Sequence, residues 1–347
     1  MHQLYRRFES EHIRNRTIKM IDNYNLVHSF GLSRFSKNTF LRLVKILIAL
    51  GLLYYLVTSI EYDQIISAIR NANIEIILIV FLLGFLNIYL QYLKWGITCR
   101  EVLGVQNNSK IFRSLFYGFS AGIITPFRIG EYFGRGIEFK DKSLIQVTIA
   151  TLVDKFFPLL MVASIGSVSS LLFIYYQYNV SIYLIISLFI LIFTLFYLFI
   201  VLLLSRRFWD SMIFSKLKSS ERFGSFLEKL KIFKSFDRIY FYKMVVVSFL
   251  FYSCFLIQYS LLVTAFSHHH NFTQYLWAGN LIMFAKTLIP PISFGELGIR
   301  EGASVYFITQ MGEIASVGFN SSIFLFIINL LIPALIGVGL FLKKNDN

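Results

Sequence analysis

A ten-residue frame, Pro-x-x-x-Gly-Glu-x-x-x-Arg, occurs twice in this 347-residue chain. Pro126, Gly130, Glu131 and Arg135 recur as Pro291, Gly295, Glu296 and Arg300, each displaced by 165 positions. Proline and glycine break one helix and let another start, and the amides freed at that start carry the positive end of a helix dipole. Glu and Arg four apart share a helix face, the acid nearer the N-terminus, which is the favourable order for an ion pair. Arg128, three residues before Glu131, adds a second cation to the first copy. A broken helix end set with guanidinium groups is a seat for phosphate, because Arg presents a planar fork of donors. The plainer reading is that each Glu and Arg only pair with one another and staple a bend. Duplication weighs against it, since ionisable groups inside apolar segments are costly and usually line a pathway.

Other charges fall within apolar stretches. Asp154 and Lys155 lie about ten residues, roughly 15 Å of helix, into a run that starts near 144. As neighbours they point about 100° apart, so each needs its own partner, expected from the motif arms. A self-satisfied pair displaced by a kink at Pro158 is the alternative. Lys286 precedes the second motif and Glu301 adjoins Arg300, although Lys286 could instead snorkel to an interface. The candidate substrate-binding residues are Arg128, Glu131, Arg135, Asp154, Lys155, Lys286, Glu296, Arg300 and Glu301. The candidate break points are Pro126, Gly130, Pro291, Gly295 and Gly298.

Neither a metal nor a cofactor is expected. His268, His269 and His270 are consecutive, and adjacent residues seldom converge on one ion as spaced ligands do. Cys99 and Cys254 are far apart in or beside apolar stretches and signal neither a disulfide nor a metal pair. A Gly-rich phosphate loop, an HExxH motif and a nucleophile elbow are all missing, so no catalytic residue is assigned.

The elements that must position these charges are membrane helices. Hydrophobic residues make up 56% of the chain and charged ones 15%, with a mean hydropathy of +0.65, far from soluble averages. The 38 Phe and 20 Tyr exclude a disordered chain and read as lipid-facing and interfacial anchors rather than a stacking platform for bases. The 33 Lys and Arg against 19 acids leave a net charge of +14, but the excess flanks apolar runs, so it reports topology and contact with anionic lipid rather than nucleic acid.

A span needs about 20 apolar residues. Six segments qualify, at roughly 41–60, 74–93, 144–176, 180–204, 244–266 and 322–342. Two shorter runs, roughly 111–127 and 275–291, each end at proline. Residues 1–45 carry nine Lys or Arg, 94–113 carry four and 205–243 carry ten, which places all three in the cytoplasm by the positive-inside rule. Residues 61–75 carry one Arg and 267–280 none, so those face the other side. Residues 1–40 lack an apolar core and read as a cytosolic basic arm rather than a signal peptide, and 343–347 as a cytosolic tail.

Parity then requires the run 111–127 to begin and end inside, and the run ending at Pro291 to dip in from outside and return through 303–312. Such breaks are tolerated at membrane depth where protein buries them. The expected fold is all-α: a polytopic membrane helix bundle of about six full spans plus two re-entrant helical hairpins, in repeat halves of about 74–204 and 244–342. The two halves would form an inverted repeat, the construction many secondary transporters use. A plain eight-span bundle is the competing architecture.

The strings TPFRIGEYFGRG, TLVDKFF and PPISFGELGIREGA resemble the lysylphosphatidylglycerol synthase transmembrane-domain family of flippase-like membrane proteins, over roughly residues 40–342. The family's first signature is carried by Pro126, Gly130, Glu131 and Arg135, and its second by Pro291, Gly295, Gly298, Arg300 and Glu301. Glu296 stands where a glycine is common, Lys155 where an arginine is usual and Pro158 where an acidic residue is often found. The resemblance implies a transmembrane domain over 41–342 that moves an anionic phospholipid or a polyprenyl-phosphate-linked lipid between leaflets of a bacterial or archaeal cytoplasmic (inner) membrane. Family members that carry a fused aminoacyl-transferase domain make and flip aminoacylated phosphatidylglycerol; synthesis is not expected of this chain. The rival expectations are an intramembrane lipid-phosphate enzyme, and a non-transporting membrane partner of a glycosyltransferase or lipid synthase.

Overall fold

The computed structural model describes residues 62–204, 238–289 and 298–345. The expected basic arm, the first span at 41–60, most of the loop from 205, and Pro291, Gly295 and Glu296 lie outside the described residues. Within them the chain is all-α. Its helices are α1 (Tyr62–Arg70), α2 (Ile74–Leu103), α3 (Asn108–Ile124), α4 (Gly130–Gly136), α5 (Leu144–Tyr178), α6 (Ile182–Leu204), α7 (Arg238–Ser267), α8 (Phe272–Leu288), α9 (Ile299–Gln310), α10 (Ala315–Phe326) and α11 (Ile332–Asn345). A π-helical segment, Ile327–Leu331, joins the last two.

Among the described residues four helical stretches are long and apolar enough to cross a membrane: Ile74–Leu103, Leu144–Tyr178, Arg238–Ser267 and Ala315–Lys343. A fifth, α6, is apolar over Ile182–Leu198 and presents Tyr183, Leu184, Ile190 and Phe193 outward. A bare apolar face of that kind suits lipid.

Helix ends depart from the hydropathy reading. α2 continues ten residues past 93 because it stops only at Gly104, whose left-handed backbone (φ 65°) forms the C-cap. α7 begins at Arg238 rather than 244, and the last span at Ala315 rather than 322. α5 runs through Pro158 without interruption. The short apolar runs become helices of 17 residues each, Asn108–Ile124 and Phe272–Leu288, and the stretch 303–312 falls in α9 up to Gln310.

The element order repeats. A 30-residue helix, a 17-residue helix, a short helix and a long helical stretch make up α2–α5, and the same series returns as α7–α11. The two 30-residue helices pack antiparallel. The Asn73 amide donates to the Ala265 carbonyl, the Gln258 amide to the Val80 carbonyl and the Cys254 thiol to the Leu83 carbonyl, while Thr98 meets Tyr240. Each half also lends its 17-residue helix to the other. Ser120 of α3 donates to the Ala334 carbonyl on α11, and Trp277 of α8 donates to the Ser169 carbonyl on α5. Small residues permit these crossings, as expected where lipid supplies no hydrophobic drive between helices. A Cβ on Gly337 would meet the Phe116 carbonyl oxygen at 2.2 Å, and one on Gly84 would meet Ile328 at 2.4 Å.

Both short arms turn back to the end of the bundle from which they start. Arg113 near the start of α3 pairs with Glu138 just after α4, at 2.7 Å. Tyr275 near the start of α8 donates to Glu313 just after α9. The two hairpins open at opposite ends. One apolar core, containing Trp95, Ile111, Phe116, Phe139 and Val147, sits at the first end, and another, with Tyr259, Leu262, Tyr275, Ile308 and Val317, at the second. Charge divides likewise among the described residues. The first end carries Arg100, Lys110, Arg113, Lys140, Lys142, Arg238, Lys243 and Lys343 against Glu101, Glu138 and Asp141, the second only Arg70 against Asp63, Glu75 and Glu313.

Candidate functional site

The first hairpin is pinned at its bend. Thr125 Oγ1 donates to the Ala121 carbonyl and accepts from the Gly130 amide at 2.7 Å, capping α4. Between them, Phe127 and Arg128 both take left-handed backbone (φ 56° and 52°), a conformation that costs a non-glycine residue of order 1 kcal/mol. The bend therefore sits at Phe127 and Arg128. Gly130, expected as a hinge, lies in the first turn of α4 and serves close approach instead: a Cβ there would stand 2.1 Å from the Ala121 carbonyl oxygen. In the second half Gly298 takes φ 96° at the start of α9, and its amide donates to Glu301 Oε2 at 2.6 Å.

α4 is a short, steep platform for charge. Arg135 and Glu131, one turn apart, pair at 2.7 Å, and Arg135 also donates to Asp154 Oδ2 at 2.9 Å with its guanidinium 4.2 Å above the Trp95 ring. Glu131 takes Lys155 at 2.7 Å and Arg128 at 3.0 Å on its other oxygen. Asp154 and Lys155 thus find separate partners, both on the motif arm. Asp154 has one more, Lys94, which reaches Oδ1 at 2.8 Å and the Asp154 main-chain oxygen at 2.6 Å. That carbonyl is available because Pro158, four residues on, has no N–H to give it. Pro158 does not displace the pair by a kink; it frees an acceptor for Lys94.

Lys94 is the residue that the sequence reading missed, having counted it as loop charge. It is 5% exposed, inside α2. Its signal was available: a lysine only one position past an apolar run, with no proline between it and Gly104 to stop the helix. Four cations and two carboxylates leave this cluster with a net charge of +2. Burying such a group is costly unless every charge is paired, and the observed geometry supplies that pairing.

The second half holds a smaller counterpart. Arg300, 1% exposed, pairs with Glu301, donates from Nε to Ser322 Oγ at 2.9 Å and lies 5.3 Å above Phe326. Arg135 and Arg300 therefore each sit against a carboxylate and over an aromatic face. Both are consumed by protein partners, which suits a framework role better than direct engagement of a ligand. Lys155 and Arg128 have more exposed side chains, at 33% and 17%.

Apart from Glu301, these charged groups border one cavity of about 1050 Å³ between the halves. Its described lining includes seven basic residues, Lys94, Arg128, Arg135, Lys155, Arg238, Lys286 and Arg300, and two acidic ones, Glu131 and Asp154. Glu301 stands behind Arg300. The remaining wall is largely apolar, with Phe156, Phe157, Phe241, Phe251, Phe255 and Leu325. A concave space with a cationic floor and an aromatic wall matches an amphiphile carrying an anionic head. No group of His, Cys, Asp and Glu suited to a metal ion occurs among the described residues.

The model of the lysylphosphatidylglycerol synthase TM region matches residues 42–337, most of the chain and both halves of the repeat. The chain belongs to this family. No curated protein matches it. For this lysylphosphatidylglycerol synthase TM-region member, the matched residues include every element that borders the cavity.

Proposed function

We propose that the protein is a lipid transporter that moves an anionic phospholipid or a polyprenyl-phosphate-linked lipid between the leaflets of the cytoplasmic membrane, without itself making or cleaving it. The observation that carries this reading is the cavity, which draws on both halves of a repeat whose equivalent helices run antiparallel and which joins a basic floor to an aromatic wall. In a bilayer the two hairpins would be re-entrant loops of opposite sidedness, and the basic end of the bundle would be cytoplasmic by the positive-inside rule. The substrate phosphate would rest on Arg128, Lys155 and Lys286, with its chains along the phenylalanines. Arg135, Arg300, Glu131, Asp154 and Glu301 would hold the floor in shape. Rocking of the halves would then expose the cavity to either leaflet in turn.

Retention of lipid by the purified protein tests the binding half of this proposal. Native mass spectrometry of wild type should find an anionic lipid enriched over the host membrane. Arg128→Ala combined with Lys155→Ala should reduce it at least about tenfold, since each removes a charge-assisted contact of about 1.5 kcal/mol or more. Unchanged retention in the double variant, or enrichment of a neutral lipid in wild type, would refute the assignment.

A further inference from the structure

The cavity has a second polar region that the phosphate reading does not use. Asn87, Gln91 and Asn329 line it, and Gln258 stands behind Asn329. The four amides connect in pairs. Gln91 Nε2 donates to Asn87 Oδ1 at 3.0 Å, and Asn329 Nδ2 donates to Gln258 Oε1 at 3.2 Å. Gln258 is fixed in orientation because its Nε2 donates to the Val80 carbonyl. Asn329 must therefore turn its Nδ2 to Gln258, which leaves Asn329 Oδ1 buried and without a hydrogen bond among the described residues. At Asn87 the amide nitrogen has no oxygen or nitrogen partner and meets only the soft thiol sulfur of Cys254. Exchanging nitrogen and oxygen in both Asn87 and Gln91 would still leave one end of Asn87 unmatched.

Asn87 is fully buried and Asn329 is 5% exposed, so neither orphan is casual: a buried amide without a partner costs about 1–3 kcal/mol. As oriented Asn87 offers a donor and Asn329 an acceptor, exchange of the Asn87 amide would make both acceptors, and sugar hydroxyls, which donate and accept, suit either arrangement. The π-helical segment that carries Asn329 points the same way, since such widened turns concentrate at functional positions.

Position within the repeat sharpens the reading. Lys94 is the twenty-first residue of α2 and Gln258 the twenty-first of α7. One half thus puts a cation where the other puts a neutral amide. Asn87, Gln91 and Lys94 lie on one face of α2 at spacings of four and three, so the stripe runs from orphan amide to charged floor over seven residues, roughly 10 Å of helix rise, the length of a sugar joined to a phosphate.

We propose that Asn87, Gln91 and Asn329, backed by Gln258, form a subsite for the hydroxyls of a sugar-sized head group whose phosphate lies on the basic floor. The substrate is then a lipid phosphodiester bearing a sugar or comparable polyol, rather than a bare lipid phosphate. The inference rests on the lipid-transport reading above.

Paired probes test it on the full chain in detergent. Farnesyl phosphoglucose is compared with ethyl farnesyl phosphate, and dioctanoyl phosphatidylinositol with dioctanoyl phosphatidylethanol. Each pair shares tail and phosphodiester charge and differs in hydroxyls. In at least one pair the hydroxylated probe should bind about tenfold or more tightly than its ethyl twin, and the pair that shows it tells whether the lipid is polyprenyl or diacyl. Asn329→Leu should reduce the preference to less than about twofold while leaving the ethyl twin's affinity unchanged. The wild-type comparison stands even if that variant fails to fold. Equal binding of both members in both pairs would overturn the hydroxyl subsite and leave the lipid reading intact. A preference that survives Asn329→Leu would overturn the role given to that residue. Binding of none of the four probes would overturn both proposals.

Discussion

Lys94 and Lys155 flank the same pair of carboxylates, yet their environments assign them different work. Lys94 is enclosed and satisfies both a side-chain and a main-chain oxygen of Asp154. Lys94→Ala leaves two buried acceptors unmatched and should cost about 3–5 kcal/mol, read as a clear fall in the thermal unfolding midpoint in nanodiscs. Lys155 is one-third exposed on its side chain, and Glu131 keeps Arg128 and Arg135 without it. Lys155→Ala should change stability by no more than about 1 kcal/mol while weakening lipid retention. Equal destabilisation by the two variants would contradict the division into framework and ligand-facing cations. At this scale the sequence identified most of the cluster, because ionisable residues stand out in apolar runs. It missed Lys94 because a charge beside the end of such a run looks like a flank, and only the three-dimensional proximity of Asp154 shows that it faces inward.

The hairpin α3–α4 depends on backbone contact more than on charge. A Cβ on Gly134 would stand 2.4 Å from the Tyr117 carbonyl oxygen, and since that atom belongs to a packed helix, neither side can yield without separating the arms. Gly134→Ala should therefore destabilise by about 2 kcal/mol or more. Gly302 in α9 meets nothing within 4 Å, and Gly302→Ala should stabilise by about 0.5–1 kcal/mol through helix propensity and loss of unfolded-state freedom. Unfolding midpoints of the two variants, measured together, decide the point: shifts of the same sign would contradict the packing account. The existence of the long apolar helices was legible from hydropathy, and so was the interruption near Pro126, whereas α1 and α4, polar and short, fell in stretches that read as loops. The bend itself was not, because Phe127 and Arg128 are residues that ordinarily avoid left-handed backbone, and only the tight seating of Gly130 and Gly134 holds them there. Helix ends were misplaced wherever a cap or an inward-facing charge, rather than hydropathy, set the boundary, as at Gly104.

For the molecule as a whole, the 165-residue displacement of the motif was visible in the sequence, because identical residues in a fixed frame need no structure to be noticed. How the halves meet was not visible, since the antiparallel contact of α2 with α7 and the exchange of α3 and α8 rest on close-packed small residues and on side chains that bond to main-chain carbonyls, which leave no paired signature in the sequence. The arrangement predicts that Asp141, after the first hairpin, and His270, before the second, lie on opposite sides of the membrane. Single cysteines at these exposed positions should react with a membrane-impermeant maleimide from opposite faces, the native Cys99 and Cys254 being buried. Labelling of both from one face would exclude hairpins of opposite sidedness.

The most direct measurement is leaflet exchange in vesicles containing the purified protein, with an anionic lipid labelled on its head group and an impermeant quencher outside. Wild type should let the quencher reach well beyond the outer half of the label, and Arg128→Ala with Lys155→Ala should return the signal to the half-quenched level of protein-free vesicles. Wild-type vesicles that remain half quenched with every lipid tested, or exchange that the double variant leaves untouched, would contradict transport through this cavity.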